Sequence, residues 1–524
     1  MTNKQGYLLT IDQSTSGTKA LIIDSAGAII AKSSVEHKQY YPSPGWVEHD
    51  PMEIYENVLR ASEAVLQQAG IEPSRLAALT LTNQRETAVM WDRATGLPVC
   101  NAIVWQCQRT AERCEALKAA GYEEIVRAKT GLMLDPYFSA AKWRWMLEQV
   151  PYIDRLLEEG RLLAGTMDSW LLWKLSGGAV HATDYTNASR TSLFNIHELR
   201  WDTELCELFG VPIELLPKVK SSDAVFGVTN AKDSQLLSYP IPIAGIIGDS
   251  QAALFGQHCF ETGMAKATYG TGTSVLMNIG EKPVAAENGL VLAIGWSIGG
   301  KVTYALEAVI RTSGDTIKWV RDNLGLFHTF AELEELLLQT HHNEGVYLVP
   351  AFVGLGAPYW EPQARAMISG MSRGTGRPHI IRAAIESIAY QVRDAIELIE
   401  EGTGIPLKML RTDGGASDNA TLMQFQADML GCGVSKSDVA ELSALGSAYM
   451  GGLGIGIWGS LSEIAKQMRK YEIYMPLMDQ TQRAQNYEGW KRAVGVVLQD
   501  SAAAYHSPIA EASEAGSKKS IPCS

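Results

Sequence analysis

The chain has no excess of positive charge, no long apolar run and no paired cysteines, and each absence closes off a class of function. Among its 524 residues, 58 Asp and Glu outnumber 45 Lys and Arg, for a formal net charge of −13. Nucleic acid or an anionic membrane surface needs a basic footprint, so neither is expected as a partner. No apolar stretch reaches the ~18 residues that mark a membrane-crossing helix. The opening MTNKQGYLLTIDQST enters a strand-like run at once, and Gln13 and Ser14 interrupt it too early for a signal-peptide core. A cytoplasmic protein is therefore expected. Cys100, Cys107 and Cys114 sit seven apart without a CxxC pair or a nearby His, which reads as free thiols rather than a metal site. The ten histidines show no metal-ligand spacing, and the patterns GxxxxGK[ST] and HExxH do not occur. Gly452-Leu-Gly454-Ile-Gly456 lacks the strand-turn-helix setting of a dinucleotide loop and reads as close packing.

What is present is an ordinary globular composition, 46% hydrophobic and 20% charged, on a chain too long for one core. Residues 7–11, 20–24 and 28–31 read as strands joined by tight turns, the first turn running Asp12-Gln-Ser-Thr-Ser-Gly-Thr18. Pro51 opens a helix with Ile54, Val58, Val65 and Leu66 on one face, and residues 76–82 form the next strand. That order predicts an α/β layered domain with a mixed sheet. Residues 265–268 and 274–279 flank Tyr269-Gly-Thr-Gly-Thr273, a second strand-turn-strand device that looks like a degenerate repeat of the first. Two similar domains facing across a cleft are expected, 1–260 and 261–500, with a boundary near Phe260. Residues 501–524 are small, polar and aperiodic, and are expected to be a flexible tail.

Small-residue turns at strand ends let backbone N–H groups converge on an anion. Three occur: 14–18, with the hydroxyls of Thr15, Ser16 and Thr18 and then Lys19; 270–273, with Thr271; and Gly414-Gly415 ahead of a helical run from Asn419. Asp12 ends the first strand, where a carboxylate can hold Mg²⁺ directly or through water. Asp249 stands at a strand-to-helix junction, which suits either a helix cap or a catalytic carboxylate. Arg85 and Glu86, at another strand end, form either a salt bridge or a grip for a diol. Loops for phosphates, a carboxylate for a metal and a base for the acceptor are the parts that phosphoryl transfer requires.

Asn83-Gln-Arg-Glu-Thr87, Asn101-Ala-Ile-Val-Trp-Gln-Cys107 and His181-Ala-Thr-Asp-Tyr-Thr-Asn-Ala-Ser-Arg-Thr191 carry a resemblance, as do Tyr137-Phe-Ser-Ala-Ala-Lys142 and Glu441-Leu-Ser-Ala-Leu-Gly-Ser-Ala448. In collinear order from Tyr7 to about Val497, the chain resembles the glycerol kinase branch of the FGGY carbohydrate kinase family. The resemblance implies two ribonuclease-H-like, actin-like ATPase domains around a central cleft. It implies transfer of the γ-phosphoryl group of ATP, with Mg²⁺, to a terminal hydroxyl of glycerol or a related polyol. By position it assigns Thr15, Ser16, Gly17, Lys19, Thr271, Gly314, Lys318, Gly415 and Asn419 to the nucleotide, and Asp12 to the metal. Arg85, Glu86, Trp105, Tyr137, Asp249, Ser250 and Ser274 match the polyol pocket, with Asp249 as the base. Lys19 stands where the family has Arg, Ser250 where glycerol kinases have Gln, Ser274 where they have Phe, and Lys318 where Gln is usual. A kinase for a longer polyol or a ketose, and a non-catalytic sugar-binding regulator, are the alternatives. The expected partners are a small-molecule substrate and further copies of the chain in a homo-oligomer, a dimer or tetramer.

Overall fold

A computed structural model describes residues 6–505, except 233, 235, 236, 287, 468 and 469. Strand Tyr7–Gln13 is buried along nearly its whole length, as befits a central strand covered on both faces. It pairs antiparallel with Gly17–Ile23 and parallel with Leu76–Asn83, which sets Asp12 opposite both Lys19 and Thr82. The six-stranded sheet runs Val225–Val228, Pro242–Gly248, Leu76–Asn83, Tyr7–Gln13, Gly17–Ile23, Ile29–Glu36. Helix Pro51–Ala69 packs on it. Asp50 caps that helix by accepting the Met52 N–H, Gly70 ends it at φ 63°, and Ile54, Val58, Val65 and Leu66 are all buried as expected.

The second sheet has seven strands in the order Val291–Ile298, Lys301–Ile310, Thr273–Gly280, Met264–Tyr269, Met409–Asp413, Val434–Ser437, Tyr471–Tyr474. Its centre repeats the first: Met264–Tyr269 pairs antiparallel with Thr273–Gly280 and parallel with Met409–Asp413. Thr268 is thereby opposite both Ser274 and Asp413, as Asp12 is opposite Lys19 and Thr82. The repeated small-residue turn read from the sequence is a repeated hairpin beside a parallel strand.

The two halves share a core. Helix Asp249–Gly256 follows the first sheet, and helix Leu442–Gly454, late in the chain, packs against that helix and against the first sheet. The approach is too close for side chains. A Cβ on Gly446 would lie 1.9 Å from the Ala252 carbonyl oxygen, and one on Gly451 2.4 Å from Thr80 Cγ2. Gly452 and Gly454 are equally confined, by Trp458 and by the Asp223 carbonyl, which bears out the packing reading for these two; Gly456, at φ 75°, meets nothing within 4 Å and serves a turn instead. Leu8, Phe255, Leu276, Trp296 and Tyr449 meet in one cluster that spans both halves.

The end of the chain corrects one expectation. Helix Gln480–Tyr505 continues five residues past Asp500, and Ser501 is buried. Ser501-Ala-Ala-Ala-Tyr505 has no amphipathic period to betray a helix, but alanine has the highest helix propensity and extends one already started. The rest of the expected tail, residues 506–524, lies outside the described residues. Among the described residues no helix is long and apolar enough to cross a membrane.

Candidate active site

Asp249 begins its helix directly after strand Pro242–Gly248. The capping position is Gly248, and no side chain caps the helix. Asp249 Oδ1 accepts the N–H of Ser250 at 2.6 Å and lies 3.2 Å from Arg85 Nε. The carboxylate, 34% exposed, bonds one first-turn amide from inside the helix, not from the capping position, and lines a cavity of about 380 Å³. The cap reading therefore does not describe it.

Into the same cavity the first hairpin brings Asp12 and Lys19, and the second sheet brings Lys266, Ser274, Asp413 and Gly414. Burial pushes the Asp12 carboxyl up to about 7, with Lys19 opposing and Asp249 and Glu441 adding to the rise. Asp413 is also raised by burial, against Lys266 and Thr268, and its buried Oδ1 has no hydrogen-bond partner. Two dehydrated carboxylates of this kind fit a divalent cation. Among the described residues no three acidic, His or Cys side chains converge tightly enough to hold a metal unaided. That suits Mg²⁺, which keeps several waters and takes one or two carboxylates plus substrate phosphates. Lys19 Nζ is 2.7 Å from Glu441 Oε2, and Lys32 Nζ is 2.8 Å from Glu441 Oε1. The residue that starts helix Leu442–Gly454 thus reaches the first hairpin.

Behind Asp249 lies a buried lattice of charge. Glu86 has φ 60°, an uncommon conformation for a side-chain-bearing residue. Its carbonyl accepts from Ser139 Oγ and from Lys142 Nζ, both at 3.1 Å, which holds the turn. Arg190 Nε donates to Glu86 Oε1 at 2.5 Å. Arg190 Nη1 lies 2.9 Å from Glu307 Oε2, an ion pair without hydrogen-bond alignment. Arg85 Nη2 donates to Glu307 Oε1 at 3.0 Å and Arg85 Nη1 to Gln251 Oε1 at 3.3 Å. None of Arg85, Glu86, Arg190 and Glu307 is more than 5% exposed, and their charges balance. Burial favours a neutral Glu307, yet Arg190 and Arg85 hold its carboxyl well below the usual range. Ser274 Oγ donates to Glu307 Oε1 at 3.2 Å, so this serine hydroxyl is part of the lattice.

A second cavity, about 790 Å³, opens beside the lattice between Trp105, Tyr137, Arg190 and Ser274. Trp105 and Tyr137 meet edge to face at 5.4 Å, and Trp105 Nε1 donates to Thr15 Oγ1 at 2.9 Å. A third cavity, about 400 Å³, lies between Thr271, the start of helix Gly314–Asp322, Lys318 and Gly415, with Phe327 and Phe330 at one side. Gly314 is required there because a Cβ would fall 2.5 Å from the Gly270 carbonyl. Gly414 has φ 89° and no room beside the Tyr269 carbonyl, whereas Gly415 faces open space. All three cavities meet on the 270–274 turn. A flat base and phosphates at one end, and a short hydroxylated chain at the other, would converge on Asp249.

Of the residues named from the sequence, Asp12, Lys19, Trp105, Tyr137, Asp249, Ser250, Thr271, Ser274, Gly314, Lys318 and Gly415 line these cavities. Arg85 and Glu86 stand behind them, resolving into a lattice rather than a simple pair. Thr15, Ser16, Gly17 and Asn419 line none of the three. Ser16 is exposed, and a Cβ on Gly17 would lie 2.9 Å from the Val35 carbonyl. Asn419 caps helix Ala420–Leu430, accepting from Leu422 N–H at 2.7 Å, and donates to Glu334 Oε1. Sequence reading missed Arg190, Lys266, Glu307, Asp413 and Glu441 as site residues. Lys266 and Glu307 carried a usable signal, each being a charge flanked by apolar residues within a buried strand.

Two sequence models of the FGGY family of carbohydrate kinases match the chain, the N-terminal domain over residues 7–256 and the C-terminal domain over residues 265–455. A glycerol kinase of Caldanaerobacter subterraneus is 51% identical over 488 residues, 93% of this chain and 98% of that protein. Glycerol kinase 2 of Thermotoga maritima is 50% identical over the same shares. Among solved structures, Plasmodium falciparum glycerol kinase with ADP aligns with a TM-score of 0.89 at 36% identity, covering 94% of this chain and 98% of that one. A gluconate kinase from Lactobacillus acidophilus, at 19% identity and a TM-score of 0.85, shares the fold.

Proposed function

The chain belongs to the FGGY family of carbohydrate kinases, and we propose that it transfers the γ-phosphoryl group of ATP to a terminal hydroxyl of glycerol. It is an ATP-dependent polyol kinase with the two-domain, ribonuclease-H-like fold of the actin-like ATPases. One observation carries the reading. A partly exposed carboxylate, Asp249, is anchored to a charge-balanced buried lattice and lines a cavity that adjoins two others at the 270–274 turn.

Asp249 takes the proton of the attacking hydroxyl, and Arg85 Nε at 3.2 Å fixes its orientation. Arg85, Glu86 and Ser250 hold the remaining hydroxyls, while Trp105 and Tyr137 wall the carbon chain. The 270–273 turn, Gly314 and Gly415 receive the nucleotide, with Lys318 beside it and Lys19 near the phosphates. Asp12 and Asp413 would hold Mg²⁺, which when bound spreads the charge of the phosphates. In this reading the first half, to about residue 260, supplies the polyol pocket and the second supplies the nucleotide pocket.

A second reading, a longer polyol or ketose, is favoured by the 790 Å³ cavity and by the small hydroxylated side chains Ser250 and Ser274 on the cavity walls. One screen tests both: ADP release with ATP and glycerol, tetritols, pentitols or ketopentoses. Glycerol is expected to give the highest kcat/KM. A tetritol or pentulose that exceeds it would favour the second reading, and ADP release with none of them would overturn both.

A further inference from the structure

Lys266 is a buried ammonium with no carboxylate in ion-pair contact among the described residues. It is 1% exposed on strand Met264–Tyr269, between the core residues Ala265 and Ala267. Alternate residues of a strand share a face, so Lys266 and Thr268 point together toward the site. Lys266 Nζ donates to Thr268 Oγ1 at 3.0 Å, which means the side chain is laid along the strand toward the 270–274 turn. Among the described residues this is its one hydrogen bond, and no carboxylate lies within ion-pairing distance. Thr268 is also the cross-strand partner of Asp413, so the threonine stands beside that carboxylate. Two ammonium protons are left in the walls of the cavity that holds Asp12, Asp249 and Gly414.

A lysine kept for stability at such a place would sit against a carboxylate, because an unpaired buried charge is costly. Glu307 and Asp413 act on Lys266 from a distance, and burial outweighs them, drawing its ammonium below the usual lysine value. Lys19, the other lysine of this cavity, is already bound to Glu441. Among the described residues the cavity therefore contains one cation, Lys266, whose protons await an anion.

Resting on the kinase reading above, we propose that Lys266 is a catalytic residue that contacts the phosphoryl group in transit between ATP and the polyol. In that step the acceptor oxygen bonds to phosphorus as the bond from phosphorus to the bridging oxygen of ADP breaks. The hydroxyl proton passes to Asp249, and Lys266 keeps its protons throughout. Its role is a fixed positive charge in a site poor in water, where such groups act most strongly. A point charge rather than a planar fork suits oxygens that move during the transfer.

The test is Lys266→Met, which keeps the length of the side chain and removes the charge, with Lys266→Ala as a second variant. Lys266→Met is expected to lower kcat at least ~10²-fold, the size of effect found on deleting one preorganised donor. The KM for glycerol and the affinity for ADP should change less than about threefold, a split that general loosening would not produce. The preference for a non-hydrolysable ATP analogue over ADP should fall, because only the analogue carries the γ-phosphoryl group. In Lys266→Ala, added ethylammonium should restore part of kcat. A variant that keeps more than a tenth of wild-type kcat, or loses ADP and glycerol affinity in parallel with kcat, overturns the proposal alone. A wild type that forms no ADP with any polyol overturns the kinase reading and the proposal with it.

Discussion

Replacing Glu307 by Gln would remove one charge from the lattice that holds Asp249, the proposed base. Glu307 is 1% exposed and serves Arg85 at 3.0 Å, Arg190 at 2.9 Å and Ser274 at 3.2 Å. The isosteric amide keeps one acceptor but turns an N–H₂ toward guanidinium donors. Two buried cations would then face Glu86 alone. Breaking a buried pair of this kind costs about 3–5 kcal/mol. The structure offers Arg85 a partial substitute in Asp249, 3.2 Å from its Nε. Tightening that pair recovers some of the loss, but draws the base toward Arg85 and away from the hydroxyl. A loss of about 1.4–2.8 kcal/mol in transition-state stabilisation is expected, or 10- to 100-fold in kcat/KM for the polyol. The cavity of Thr271, Lys318 and Gly415, proposed for the nucleotide, touches no member of the lattice, so the KM for ATP should move less than about twofold. A coupled ADP assay, varying polyol at saturating ATP and then ATP at saturating polyol, separates the two constants. Unchanged polyol kcat/KM, or an equal loss for both substrates, would refute the orienting role.

Gly414→Ala should destabilise the fold by about 1–3 kcal/mol, since φ is 89° and the added Cβ would fall 2.4 Å from the Tyr269 carbonyl; a lowered melting temperature is the readout. Gly415→Ala should melt like the wild type, because its Cβ meets nothing within 4 Å, yet raise the KM for ATP by projecting into the nucleotide cavity. Glu386, buried in helix Arg377–Thr403, is pushed up to about 7 by burial, against Arg382 and Asn343. Its folded value lies above its unfolded one, so its contribution to stability is full below about 4.5 and is lost as pH rises through about 7. Denaturant melts of wild type and Glu386→Gln at pH 5 and pH 8 should show the wild type losing ground at the higher pH, and a constant difference would contradict the assignment.

The central hairpins were legible in the sequence because each joins a short apolar run to a turn of small polar residues. The apolar runs predict strands at 7–11 and 265–268, and Tyr7–Gln13 and Met264–Tyr269 are observed. The first strand gains the turn types Asp12 and Gln13, drawn into the ladder by their partners Lys19 and Thr18. The cavity-facing residues of the turns were legible for the same reason. The lattice was not, since Arg85 and Glu307 are 222 positions apart and their pairing depends on how the two halves pack. Asn419 shows the opposite limit, a residue that the resemblance assigns to the nucleotide and whose side chain is engaged as a helix cap. Helix Leu442–Gly454 was likewise invisible as a support for the first sheet, because its small residues report only that something approaches closely.

The central claim is that Asp249 accepts the proton of the attacking hydroxyl. Its most direct measurement is a single-turnover transfer from ATP to glycerol by Asp249→Asn, with ADP and glycerol binding measured on the same preparation. The asparagine preserves the shape of the side chain and its place beside Arg85 but cannot take a proton. The chemical step should slow by at least ~10²-fold, with ADP affinity unchanged and glycerol still bound. A variant that transfers phosphate at close to the wild-type rate would contradict the account.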